Sequence, residues 1–83
     1  MRKSELKKIL GKNIRKYRKE HKEKLTQAKL AELIGVKRSL IGAIESENNN
    51  TFISVFNLYK ISKVLNVKID KFFEVEAWKE KYL

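Results

Sequence analysis

The chain has 83 residues, with twenty Lys+Arg against ten Asp+Glu for a net charge of +10, and it holds neither cysteine nor proline. That length suits a single domain spanning 1–83, and the lack of cysteine excludes a disulfide framework and a thiolate metal site. No apolar run approaches the length of a membrane span, and residues 1–5 lack the apolar core of a signal peptide. The expectation is therefore a cytoplasmic protein with no membrane contact, no metal and no cofactor.

The first helix is expected over residues 4–21, with Ser4 as its N-cap. Leu6, Ile9, Leu10, Ile14 and Tyr17 draw one apolar stripe along it, and Lys and Arg fill the rest. Residues 1–24 hold eleven basic and three acidic side chains, so this segment carries +8 of the +10. Such a surface suits a polyanion, nucleic acid first and an anionic membrane second, although a merely solubilising helix has the same composition.

Two short helices follow. Thr26 is placed to cap the first, which ends at Gly35, a residue suited to the left-handed conformation just past a helix end. The second is expected over residues 37–45, with Leu40, Ile41 and Ile44 facing inward. Residues 46–51 read as a loop. Ser54 should cap a fourth helix, with Val55, Leu58, Ile61, Ser62 and Leu65 at core spacing. A fifth is expected to start near Ile69 and run towards Tyr82, which gives an all-α, five-helix domain.

The pair of short helices carries the functional signal. A helix-turn-helix, here residues 27–45, needs a small residue where its helices cross, a residue tolerant of positive φ in the turn, and apolar residues at fixed inward positions. Counting from Gln27, Ala31 falls fifth and Gly35 ninth, where those demands lie. Leu30, Ile34, Val36, Ile41 and Ile44 occupy the inward set. An ordinary helical hairpin with a glycine turn would not require both small residues at those places.

The stretch Leu25-Thr26-Gln27-Ala28-Lys29-Leu30-Ala31-Glu32-Leu33-Ile34-Gly35-Val36, followed by Ser39-Leu40-Ile41 and Ile44-Glu45, resembles the family of phage repressors, Cro proteins and their bacterial (XRE-type) relatives. The likeness continues through residues 58–67 and 69–73. It extends to the controllers of restriction–modification clusters, which are similarly small. The resemblance implies a compact, lambda-repressor-like five-helix domain that regulates transcription as a homodimer on a palindromic operator in double-stranded DNA.

It also implies roles. Thr26 and Gln27 would meet phosphate at the start of the bracing helix. Lys37, Arg38, Ser39, Gly42 and Ala43 hold the base-reading places, with Lys37 also able to contact phosphate. Arg38 is the best candidate, because its fork matches guanine O6 and N7. Arg18 and Glu45 match a buried structural ion pair of the family. Three departures stand out: the connection at residues 22–24 and the loop at 48–52 look about two residues longer than usual, Lys37 replaces the Ser or Thr expected as cap, and Gly42 and Ala43 offer no long polar side chain where the family often has one.

At the C-terminus, residues 69–82 offer more apolar surface than one small helix needs for its own domain. Val75, Trp78 and Tyr82 form a second stripe that could pack on a partner subunit, or fold back over the core. No catalytic constellation exists, since the single histidine, His21, has no nucleophile beside it. The chain is thus not expected to be an enzyme. The competing readings are an antitoxin that binds a toxin protein and its own promoter, and a basic nucleic-acid coater or membrane-surface peptide without sequence preference.

Overall fold

Leu6, Leu10, Ile14 and Tyr17 recur at three- and four-residue spacing, which gives helix α1 (Lys3–Glu20) one apolar face. The computed structural model describes residues 1–75. Within them α1 is followed by α2 (Gln27–Ile34), α3 (Arg38–Glu45), α4 (Val55–Leu65) and a 3₁₀ turn at Ile69–Phe73. Every described element is helical.

Local chemistry fixes most of the boundaries. The Thr26 hydroxyl accepts the Lys29 N–H (3.0 Å) to open α2, and the Ser54 hydroxyl accepts that of Asn57 (3.1 Å) to open α4. Gly35 (φ 75°) closes α2, with the Val36 N–H returning to the Ala31 carbonyl, and Asn66 (φ 55°) closes α4 in the same way. Helix α1 differs from expectation at its start. Arg2 occupies the N-cap position, its carbonyl accepting the N–H groups of Glu5 and Leu6, so Ser4 lies inside the first turn and caps nothing.

The expected fifth helix over residues 69–82 is, among the described residues, only the 3₁₀ turn. The described residues hold four α-helices rather than the five expected. The Asn13 side-chain amide donates to the carbonyls of Phe72 (2.7 Å) and Glu74 (2.9 Å), groups that a continuing α-helix would need for its own ladder. Trp78 and Tyr82 lie outside the described residues.

Ile14, Leu30, Ile41, Ile61 and Phe72 are the fully buried large side chains, one from each of the five elements. Each contributes about 1.5–3 kcal/mol by leaving water, and Phe72 meets Tyr17 edge to face at 5.6 Å. Val55, expected in the core, is 80 % exposed. It sits at the first helical position of α4, one turn before Leu58, where the end of the helix leaves it in solvent.

Two lysines from outside the helix-turn-helix hold the C-termini of its helices. The Lys60 ammonium donates to the Ile34 carbonyl at the end of α2 (2.6 Å), and that of Lys7 donates to the carbonyls of Ala43 (3.1 Å) and Ser46 at the end of α3. Both satisfy orphan carbonyls and oppose the negative end of a helix dipole. Burial pushes the Lys7 ammonium below the usual lysine range, and Glu47 offsets part of that shift.

Candidate nucleic-acid interface

Helices α2 and α3 meet across a single tight turn. Ala31 is buried in the core between them, and Leu30, Ile34, Ile41 and Ile44 are buried in the same cluster. Val36 packs half-buried against them, and Gly35 makes the turn in the left-handed region. All seven residues expected to pack the helix-turn-helix therefore lie together.

With Ile41 and Ile44 inward, α3 turns Arg38, Ser39 and Gly42 outward, Ala43 lies at the margin of that face, and Lys37 stands at its N-terminal end. Lys37, Arg38 and Ser39 are exposed, whereas Gly42 and Ala43 are half-buried. Lys37 occupies the N-cap position and makes no side-chain cap bond, so the first N–H groups of α3 open to solvent beside two cations. At the start of α2, Thr26 satisfies the N–H groups of Lys29 and Leu30, which leaves those of Gln27 and Ala28 as the first-turn donors. Two helix N-termini and the Lys37–Arg38 pair thus offer an anion donors and positive charge.

Gln27 joins the two helices. Its side-chain amide donates to Glu45 Oε1 (3.1 Å), and because a carboxylate only accepts, its own oxygen is left facing Gly42. A Cβ at Gly42 would stand 3.6 Å from that oxygen. Gln27 and the outward face of α3 therefore form one surface. Arg18 fixes the arrangement from behind. Its Nε and Nη2 grip Glu45 Oε2 and Oε1, both at 2.8 Å, while Nη1 donates to the Leu25 carbonyl just before α2 (2.8 Å). One guanidinium thereby ties α1 to the end of α3 and to the entry of α2.

Val75 is not part of this surface. It is half-buried beyond the turn that Asn13 holds. Three residues that pack or cap the helix-turn-helix escape sequence reasoning, Lys7, Gly11 and Lys60, and so does Asn13, which holds the C-terminal turn instead. Gly11 had a signal, being a helix-weakening residue inside a strong helical pattern. Lys7 and Lys60 look like any other lysine until the fold brings a helix end to them. Among the described residues no group of His, Cys, Asp or Glu could hold a metal ion, and no helix is long and apolar enough to cross a membrane.

Comparison with known proteins agrees with this geometry. The helix-turn-helix family model matches residues 14–72. Control protein C.SmaI of Serratia marcescens is 36% identical over 67 residues, covering 81% of this chain and 75% of the relative. The crystal structure of the restriction-modification controller protein C.AhdI from Aeromonas hydrophila superposes with a TM-score of 0.70 at 27% identity, over 81% of this chain and 96% of that one. A hypothetical transcription factor, NHTF from Neisseria, shares the fold at TM-score 0.76 and 22% identity, over 100% of this chain and 91% of its own. The family match spans most of the chain and takes in α2, α3, α4 and the Arg18–Glu45 pair: the chain belongs to the helix-turn-helix family.

Proposed function

We propose that the chain is a transcriptional regulator of the restriction–modification controller type, binding a palindromic operator in double-stranded DNA as a homodimer. The observation that carries this reading is the outward face of α3, where exposed Lys37, Arg38 and Ser39 stand beside the amide-bearing starts of both helices. In this reading α3 enters the major groove. Arg38 forks onto guanine, Lys37 reaches phosphate or base, and Ser39 adds a short polar contact. Gly42 and Ala43 let the groove floor approach closely. Thr26 and the α2 amides hold the flanking phosphate, with Gln27 set in place by Glu45. The basic surface of α1 adds affinity that does not depend on sequence.

A homodimer would place two copies of α3 about 34 Å apart, one turn of DNA. Apolar surface for a subunit contact is present on α4, where Val55 and Phe56 are 80 % and 68 % exposed and Tyr59 is also open. Val75 is half-buried, and Trp78 and Tyr82, the other residues expected at a subunit contact, lie outside the described residues.

Arg38→Ala tests the base-reading role. Its preference among duplex sequences should fall by about 1–3 kcal/mol at one position of each half-site, with a smaller loss on unrelated DNA. Titration of both proteins against a panel of single-base variants measures this, and uniform weakening across the panel would remove Arg38 from the reading face.

A further inference from the structure

We propose that Lys7 is a positioning residue for base reading: from α1 it holds the last turn of α3, and so sets the angle at which the first turn of that helix meets DNA; this rests on the DNA-binding reading above. Helices α2 and α4 are closed by their own sequence. Gly35 ends the one and Asn66 the other, each in the left-handed region with N–H groups returned to the last carbonyls. Helix α3 has no such device. Ser46 follows it in extended backbone (φ −76°, ψ 134°), and its N–H returns to Gly42. No basic residue of α3 lies in its last turn, and Lys37 makes no side-chain cap at its start. The helix that presents Arg38 is therefore held by groups outside itself.

Those groups form a line on α1. Lys7, Gly11, Ile14 and Arg18 follow one another at three- and four-residue spacing, and all four are buried. Gly11 admits the Ile44 backbone, Arg18 grips Glu45, and the Lys7 ammonium donates to the carbonyls of Ala43 (3.1 Å) and Ser46. Lys7 is only 6 % exposed. Burying an ammonium is a poor route to stability, because a packed apolar side chain would avoid the desolvation. What the lysine adds is direction. Its two bonds fix where α3 ends, about 12 Å along the helix axis from the Lys37–Arg38 end. The family match begins at residue 14, so Lys7 acts from a part of α1 that lies ahead of the matched region.

The test compares discrimination with stability. The parent, Lys7→Met, Lys7→Gln and Lys7→Arg are titrated with the duplex the parent selects from random sequence and with a duplex of mixed sequence. A salt series is run for each, below its melting temperature. Ile61→Val, which loosens the core from α4, is the control for destabilisation alone. Lys7→Met should lose on the order of tenfold in preference for the selected duplex, about the worth of one bidentate base contact. Its salt dependence should stay that of the parent, because a buried ammonium meets no phosphate. Lys7→Gln keeps a donor without the charge and should fall between, which carries the comparison if Lys7→Met does not fold. Lys7→Arg should recover much of the preference, and Ile61→Val should keep it. Lys7→Met and Lys7→Gln variants with the parent's preference would overturn the proposal. So would equal weakening on both duplexes with a shallower salt slope, or the same loss of preference in Ile61→Val. A parent that prefers no sequence removes the DNA-binding reading itself, a result seen before any variant is compared.

Discussion

Replacing Arg18 by alanine is expected to lower the unfolding free energy by about 3–5 kcal/mol, the largest single effect foreseen in this chain. The side chains of Arg18 and Glu45 are only 8% and 3% exposed, so neither charge has much water to fall back on. Their two parallel N–H···O contacts form a bidentate pair. Without the guanidinium, the Glu45 carboxylate would keep Gln27 alone, and the Leu25 carbonyl would lose its donor. Against a total stability of roughly 5–15 kcal/mol for a small domain, that is a large share. Glu45→Ala should cost a similar amount, since it strands the arginine instead.

The double variant Arg18→Met/Glu45→Met should recover most of the loss. A buried pair gains little net energy over well-packed apolar side chains, and the damage in each single variant is the charge left behind. The value of the pair is then positional: it fixes Gln27 and the end of α3 at once. Urea unfolding of the two single variants and the double variant measures this. Single variants each costing below about 1 kcal/mol would show the pair to be solvated in practice.

The second large effect is expected at Gly11. In the interior of an ordinary helix, Gly→Ala stabilises by about 0.5–1 kcal/mol. Here an added Cβ would collide with the Ile44 carbonyl oxygen and stand 3.3 Å from Glu45 Cα. Both are backbone atoms and cannot rotate aside, so α1 and α3 must move apart. That separation would also disturb the Lys7 cap and the Arg18–Glu45 pair, which bridge the same two helices. Overpacking of this kind costs about 1–3 kcal/mol, and the upper end is expected.

Gly42→Ala is the control. Its nearest contact would be the Gln27 side-chain oxygen at 3.6 Å, an ordinary van der Waals distance. The helix gain should therefore survive, and Gly42→Ala should melt above the parent while Gly11→Ala melts below it. A rise in both would mean that α1 and α3 are not in close backbone contact.

Much of this architecture is legible in the sequence because it is local. The spacing of Leu58, Ile61 and Leu65, the Thr26 and Ser54 caps, and Gly35 at the ninth place of the motif all act within a few residues of themselves. What is not legible depends on distant chain. Asn13 stops the C-terminal turn from 59 residues away, at Phe72. Lys7 caps α3 across 36 residues, at Ala43, yet in the sequence it is one of eleven basic side chains in the first 24 residues. Val55 fits the apolar pattern of α4 on paper, but its position at the start of the helix leaves it in solvent. At the candidate interface, residue types suggested the reading face, and only the fold places Gln27 against Gly42 and binds it to Glu45.

Selection of bound sites from random duplex DNA, with sedimentation of the protein on the selected duplex, tests the central claim most directly. The expected result is a palindrome whose half-sites lie about 34 Å apart and each carry a guanine lost from the Arg38→Ala selection, occupied by two chains per duplex. Recovery of no preferred sequence, with affinity that varies only with salt, would contradict it.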